Sequence, residues 1–224
     1  MIGFGNAGKE FSRILLEKTE EIQNTYNFNV VVTAISTKTK GALFDSSGID
    51  LNRALYEVET EGRFSQDNPQ RIEGSALEII KKSGADVLIE LSTLSIKDGQ
   101  PAISHIEEAI RNNMHVITAN KGPIAWDYKR LKKMADEKGL ALLHETTVMD
   151  GTPIFNLVEK TLPGCRVLGF KGILNSTTNF IMEEMEAGSD YEAALKEAQR
   201  RGFAEADPSM DIDGWDAAAK TAAL

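Results

Sequence analysis

The period of the apolar positions changes along the chain, and those changes mark its elements. In the opening MIGFGNAGKEFSRILLEK, two apolar residues precede a cluster of glycines, and Phe11, Ile14 and Leu15 then recur at helical spacing. That pattern predicts a very short strand, a tight turn and a helix. Phe28 to Thr37 (FNVVVTAIST) is a continuous β-branched run, the composition of a strand buried on both faces of a parallel sheet. Helix and strand continue to alternate: a helix over Ser75 to Lys82, a strand over Asp86 to Leu91, a helix over Ser104 to Asn112 and a strand over His115 to Ala119. A helix over Tyr128 to Lys138 and a strand over Leu140 to His144 complete the series. Residues 1–150 therefore read as α/β, a Rossmann-type doubly wound parallel sheet.

After Pro153 the pattern predicts a helix, a strand over CRVLGFKGIL, a helix from Asn179 and a helix from Tyr191 that Gly202 closes. Residues 151–224 are read as the start of an α+β domain for substrate binding and dimerisation. Both ends of the chain are abrupt. A first Rossmann strand ordinarily has about five residues, whereas only Met1 and Ile2 precede Gly3, and GWDAAAKTAAL stops inside a helix-forming run. The expectation is a protein that extends in both directions, with its second domain incomplete here.

Composition narrows the classes of function. The 224 residues carry 25 Lys and Arg against 34 Asp and Glu, a net charge of −9, the wrong sign for a long nucleic-acid footprint. Cys165 is the only cysteine, so no intrachain disulfide can form and no cysteine-rich zinc site is available. No apolar run approaches the roughly 20 residues that span a bilayer. A cytoplasmic protein with neither a nucleic-acid nor a membrane partner is expected.

Candidate chemistry starts at the glycines. Gly3, Gly5 and Gly8 in GFGNAG match the dinucleotide fingerprint, in which the glycines allow a tight turn, close approach of a pyrophosphate and helix-on-strand packing. Asn6 and Ala7 lie between them, where backbone N–H groups at a helix N-terminus would meet phosphate. The motif alone is weak, but here it opens a complete βαβ unit. The acid that would hold the ribose of NAD is replaced by Thr37, with Lys38 and Lys40 following. A cation there favours NADP over NAD, although two lysines on a loop can also be simply solvated.

The most unusual stretch is AQRRGFAEADPSMDIDGWDAAAK, which gathers Glu205, Asp207, Asp211, Asp213 and Asp216 ahead of Lys220. A calcium loop fails because the position of its last carboxylate is Lys220. Carboxylates mixed with an ammonium suit an amino-acid substrate, whose ammonium needs anions and whose reacting oxygen needs a proton carrier. Asp216 and Lys220 share a helix face, which is also the pattern of an ordinary exposed ion pair.

The spacing of Ala198, Gly202, Phe203, Ala204, Asp207, Pro208, Asp211, Ile212, Gly214, Asp216 and Lys220 resembles the homoserine dehydrogenase signature. The resemblance runs over nearly the whole chain. VLIELSTLSIKDGQPA resembles the family's third-strand region and ITANKGPIA its fourth strand, while HETTVMDGTPIFN resembles its domain junction and KGILNSTTNFI the opening of its substrate domain. It implies the NADP- or NAD-dependent interconversion of homoserine and aspartate 4-semialdehyde, in threonine, methionine and isoleucine biosynthesis, by a homodimer. It also implies that Lys121, Asp216 and Lys220 are catalytic, with Lys220 the proton carrier. By the same resemblance Glu205, Asp211, Thr177 and Ser176 serve the substrate, and Thr93, Asn120 and Lys121 lie along the cofactor. Ser176 stands where many relatives have glycine and Phe203 where tyrosine is common, so no hydroxyl contact is assigned to Phe203. Glu145, with the carbonyls of Val148, Asp150 and Thr152, resembles a site that holds a monovalent cation, such as sodium, in some relatives.

Two other readings share parts of this pattern. Aspartate semialdehyde dehydrogenase works through a cysteine thioester, and Cys165 lacks the neighbours that would activate it. A redox-sensing module would keep the glycine loop but would not need Lys220 and its carboxylates.

Overall fold

Met1 to Gly3 form the centre of the sheet in the computed structural model, which describes every residue from Met1 to Leu224. Ile2 bridges in parallel to Ser36 on one side and to Glu90 on the other. Its N–H donates to the Ile89 carbonyl at 2.8 Å, and its carbonyl accepts from Leu91 N at 2.7 Å. The flanking strands are β1 (Ala34–Ser36) and β4 (Val87–Glu90). β4 pairs in parallel with β5 (His115–Thr118), and β5 with β6 (Leu142–Leu143). On the far side β1 pairs antiparallel with β2 (Ala42–Phe44), and β2 with β3 (Arg71–Ile72). The parallel part follows the expected Rossmann pattern; the β2–β3 extension was not expected. β2 and β3 are so short that they carry little alternation for a sequence pattern to register.

The helices of this unit are α1 (Asn6–Tyr26), α2 (Leu51–Glu61), α3 (Ala76–Ser83), α4 (Ala102–Arg111) and α5 (Lys121–Asp136). Successive residues of a strand point to opposite faces. Ile35 accordingly joins Phe4, Leu15 and the α2 residues Ala54, Leu55 and Val58, while Ala34 meets Ile79 of α3. Leu88, Val116 and Leu142 form a further cluster with Ile106 and Ile110 of α4 and Leu131 of α5. The opposite faces of β5 and β6 present Ile117 and Leu143 to solvent, so helices cover both faces only over the β1 half. Local chemistry sets the helix ends. Ser75 and Glu78 form a reciprocal capping box at α3, and Asp50 caps α2 by accepting from Arg53 N. A kink at Asp127 (φ −149°, ψ 23°) divides α5: the part after it begins at Tyr128, as expected, and the part before it is a short additional helix that Asn120 caps and whose first turn tolerates Pro123.

The expected strand over Phe28 to Thr37 is realised only as Ala34–Ser36. Phe28, Val30 and Val31 are exposed, since cross-strand bonding stops at Val32, whose carbonyl accepts from Ile49 N. A β-branched run becomes strand only where neighbours offer a ladder.

The chain divides into one unit of residues 1–123 and 127–144 and a second of 124–126 and 145–224. The second holds a 3₁₀ turn (Glu145–Thr147) and helices α6 (Ile154–Thr161), α7 (Ser176–Glu186), α8 (Tyr191–Arg200), α9 (Ser209–Ile212) and α10 (Trp215–Ala223). Its core is small, with Ile181, Ala194, Ala198 and Ala204 buried against Phe180 and Leu195. Gly202 takes the left-handed conformation just past α8, as expected, with Phe203 N donating back to the Ala198 carbonyl at 2.9 Å. The strand expected over CRVLGFKGIL is not formed. Residues 165–174 pair with no other segment, and Val167, Leu168, Phe170 and Ile173 are exposed. No helix is long and apolar enough to cross a membrane.

Candidate active site

Each unit carries one group of the expected site residues. In the first unit the turn after Met1 and Ile2 places Gly3 at φ +99°, where a Cβ would lie 2.4 Å from the Leu91 carbonyl oxygen. A Cβ on Gly8 would meet the Gly3 carbonyl at 2.9 Å, whereas one on Gly5 would meet nothing within 4 Å. Gly3 and Gly8 thus permit tight backbone packing, while Gly5 faces open space. Gly5 is also the N-cap of α1 and makes no side-chain cap bond. Lys9 N is the donor that closes the first turn, onto the Gly5 carbonyl, so the N–H groups of Asn6, Ala7 and Gly8 precede the intrahelical ladder. An open glycine beside three such amides at the positive end of a 21-residue helix fits the phosphates of a dinucleotide.

Asn120 ties the strand ends together. Its Oδ1 accepts from Gly122 N at 3.0 Å and caps α5, and its Nδ2 donates to the Ser92 carbonyl at 3.0 Å. The cap fixes the start of the helix whose first residue is the half-buried Lys121, and the second bond fixes the loop that carries the exposed Thr93. Beneath this loop Glu90 is fully buried; its Oε1 accepts from Ser92 N at 3.2 Å and lies 3.3 Å from Nδ1 of His105. Neither Glu90 nor His105 was expected at the site, because a Glu inside an apolar strand run gives no periodic signal.

At the end of β1, Thr37 folds into its own turn. Its hydroxyl donates to the Gly41 carbonyl and accepts from Lys40 N, both at 2.8 Å. Lys38 stands exposed at the tip of that turn.

In the second unit Asp211 and Asp216 of the acidic stretch meet at one amide, and Asp216 also holds an ammonium group. Lys220 Nζ lies 2.8 Å from Asp216 Oδ2 and donates to the Leu174 carbonyl at 2.9 Å. The pair is largely shielded, with side-chain exposures of 19% for Lys220 and 14% for Asp216, which sets it apart from an ordinary surface ion pair. Asn175, the N-cap of α7, donates through Nδ2 to Asp211 Oδ1 at 2.7 Å and to Asp216 Oδ2 at 3.0 Å. The structure therefore brings Asp211, Asp216 and Lys220 together around a residue the sequence reading did not select. An Asn directly before Ser-Thr-Thr and a helical run is a capping signal that marks it.

Other expected residues stand outside this cluster. Glu205 is exposed, and only its carbonyl is engaged, by Gln199 Nε2 at 3.2 Å. Asp207 is held below the usual carboxylate range by the hydroxyl and N–H of Ser209. Thr177 is buried with its hydroxyl donating to the Phe203 carbonyl at 2.7 Å, while Ser176 is exposed at the start of α7. Glu145 spends its carboxylate on the N-terminus of α6, accepting from Phe155 N at 2.9 Å, from Asn156 N and from the Asn156 side chain. The Thr152 carbonyl accepts from Ile154 N at 3.0 Å, Val148 is buried, and Asp150 and Thr152 are exposed. These bonds give Glu145 a capping role that requires no ion. Cys165 is exposed in the stretch without regular structure, away from any helix N-terminus that could lower its pKa.

Comparison with known proteins covers both units. Residues 3–145 match the family model described as homoserine dehydrogenase, NAD binding domain, and residues 153–224 match that described as homoserine dehydrogenase. The chain is 41% identical, over its full length, to a homoserine dehydrogenase of Methanocaldococcus jannaschii, and spans 66% of that protein. It is 31% identical, again over its full length, to an NAD(+)-dependent homoserine dehydrogenase of Pseudomonas canavaninivorans, and spans 64% of it. Among solved structures it is similar to a hyperthermophilic archaeal homoserine dehydrogenase in complex with NADPH, with a TM-score of 0.81 and 28% identity, covering 100% of this chain and 66% of that one. It is also similar to the homoserine dehydrogenase of Thermoplasma acidophilum, with a TM-score of 0.75 and 26% identity, covering 98% of this chain and 65% of that one. With each of its units matched by a model of the same family, the chain belongs to the homoserine dehydrogenase family.

Proposed function

We propose that the protein catalyses the reversible interconversion of L-homoserine and L-aspartate 4-semialdehyde with a nicotinamide dinucleotide. The observation that carries the reading is the shielded Lys220 ammonium, held by Asp216 and the Leu174 carbonyl in a chain whose glycine turn fits a dinucleotide. The cofactor would be held by Gly3, Gly5, Asn6, Ala7 and Gly8, with Thr93, Asn120 and Lys121 beside the reacting end. When bound it supplies the hydride acceptor or donor. Lys220 moves the proton. In the reducing direction its ammonium donates to the developing alkoxide, and in the oxidising direction its amine accepts the hydroxyl proton. Glu205 and Asp211 supply negative charge for the substrate ammonium, and Ser176 and Thr177 supply contacts at the start of α7, Thr177 through its backbone because its hydroxyl is engaged.

NADP is the favoured cofactor in this reading, because Lys38 is an exposed cation where an NAD-specific site would have an acid. Similar proteins include both an NAD(+)-dependent enzyme and an NADPH complex, so the preference rests on this loop. The same reading has a cytoplasmic homodimer, and the exposed apolar residues Val167, Leu168, Phe170 and Ile173, in the unit expected to dimerise, support the dimer. A monovalent cation such as sodium at Glu145, Val148, Asp150 and Thr152 is carried by the resemblance, and the Glu145 carboxylate has a second duty as the cap of α6. The test is an assay of homoserine-dependent NAD(P)H formation by the full-length protein, with each cofactor, against other 3- and 4-carbon hydroxy amino acids. Absence of turnover with homoserine, in a protein that binds NADPH, refutes the proposal.

A further inference from the structure

The link between Asp211 and Asp216 is made by a residue to which neither the spacing of the acidic stretch nor the family resemblance assigns a role. Asn175 is 7% exposed, and its neighbours fix the orientation of its amide. Thr178 N can only donate, so the atom that accepts from it at 2.8 Å is the oxygen. The two carboxylates are acceptors when ionised, so the atom between them is the nitrogen. Both of its hydrogens are used, on Asp211 at 2.7 Å and on Asp216 at 3.0 Å. The Asp216 oxygen it reaches is the one that Lys220 also uses, at 2.8 Å. The carbonyl of the preceding residue, Leu174, takes a bond from Lys220 Nζ at 2.9 Å. One turn of chain ahead of α7 thus grips both members of the Asp216–Lys220 pair, which lie four residues apart on α10.

We propose that Asn175 is a positioning residue for the reaction: its amide holds the two carboxylates apart, orients Asp216 and moderates the hold of Asp216 on the Lys220 ammonium. This rests on the reading of Lys220 as the proton carrier. Two carboxylates that converge on one side chain repel, and a neutral two-hydrogen donor between them is what lets Asp211 and Asp216 stay together while Asp216 holds the ammonium. A donor that shares the Asp216 oxygen also draws charge from it. Without that donor Asp216 would hold the ammonium form of Lys220 more strongly. Lys220 faces Asp216 on its own helix, and Asp216 is joined through Asn175 to Asp211 on α9; the chain entering α7 contributes the neutral Leu174 carbonyl and the Asn175 amide.

The capping and bridging roles of Asn175 use opposite ends of its side chain, so substitution can separate them. Serine and aspartate both cap helices about as well as asparagine, but Asn175→Ser removes the bridge and Asn175→Asp replaces it with a third negative charge. In the full-length protein, kcat for homoserine oxidation should fall about tenfold to a hundredfold in both variants, the scale of a misplaced catalytic group, while dinucleotide affinity stays unchanged. Because oxidation needs the amine form of Lys220, the acid limb of the kcat–pH profile should move to higher pH in the order wild type, Asn175→Ser, Asn175→Asp. A purely structural Asn175 would lower Tm and leave that limb in place. Wild-type kcat and an unshifted limb in both variants overturn the proposal. If the wild type does not oxidise homoserine, the functional reading fails separately. The bridge is then judged by the NMR titration of ¹³C-methylated Lys220: the same ordered shift supports it and coincident curves overturn it.

Discussion

Lys220→Ala in the full-length protein separates a proton carrier from an ion pair. The substitution removes two bonds, to Asp216 Oδ2 at 2.8 Å and to the Leu174 carbonyl at 2.9 Å. A hydrogen bond that involves a charged group is worth about 1.5–3 kcal/mol net, and both groups here retain part of their contact with solvent. Asp216 keeps the bond from Asn175 Nδ2, so the variant does not strand a buried charge, and the loss of stability should stay near 2–4 kcal/mol. The loss of rate follows from different physics. General acid or base catalysis contributes about 10²- to 10⁴-fold, or roughly 3–5 kcal/mol of barrier. The two quantities are read by different experiments, urea denaturation for one and steady-state kcat of the folded variant for the other. NADPH affinity, followed by fluorescence, should be nearly unchanged, since Lys220 and the glycine turn lie in different units. Added small primary amines should restore part of the rate. A folded Lys220→Ala protein that retains more than a tenth of wild-type kcat would show that the ammonium serves structure alone, and the proposed mechanism would fall with it.

The glycine turn gives a paired prediction. Gly3→Ala, with backbone 2.4 Å from the new Cβ and φ at +99°, should lower stability severely, whereas Gly5→Ala should keep Tm and lose at least tenfold in dinucleotide affinity by isothermal titration calorimetry. Lys38→Glu should weaken NADPH about tenfold or more and leave NADH within a fewfold, because one charge-assisted contact is worth about 1.5–3 kcal/mol; equal losses for both cofactors would contradict the assigned role. Burial pushes the Glu57 carboxyl up, but bonds from Arg53, Asn68 and Ser65 outweigh it and hold the group below the usual carboxylate range. Its depressed pKa adds stability above the unfolded value that is lost as pH falls through the folded one, so Glu57→Gln should cost roughly 1–3 kcal/mol at pH 7 and progressively less below about pH 4 in urea titrations. Exchanging sodium for tetramethylammonium should leave Tm and kcat unchanged if the Glu145 cap on α6 is sufficient; a drop in either would revive the ion.

How much of the fold could be read from the sequence depended on whether a segment's partners lie close along the chain. The helix that starts the first unit, α3 and α4 carry their own signals, an apolar stripe or a capping box, and the sequence placed the ends of α3 and α4 within one or two residues. Phe28 to Thr37 carries an equally strong β-branched signal, yet only Ala34–Ser36 forms strand, because propensity cannot say how far a neighbour's ladder extends. CRVLGFKGIL shows the same limit more fully: its composition suits a strand, and no pairing segment exists within the chain.

The site divides along the same line. Gly3 and Gly8 were legible from their local spacing in GFGNAG, although the Leu91 backbone that excludes a Cβ at Gly3 lies far along the chain and was not. Asp216 and Lys220 were legible as a pair because four residues on a helix bring them together. Asn175 was not, since its bonds cross 36 residues to Asp211 and 41 to Asp216, and an asparagine before a helix already has a sufficient local explanation as a cap. The buried Glu90 escaped for a related reason: its partner His105 lies 15 residues away on another element. Residues with one local and one distant duty are those a single sequence under-reads. The distant duty of Asn175 joins the acidic turn to the lysine, turning a stretch of carboxylates into a site with a defined geometry.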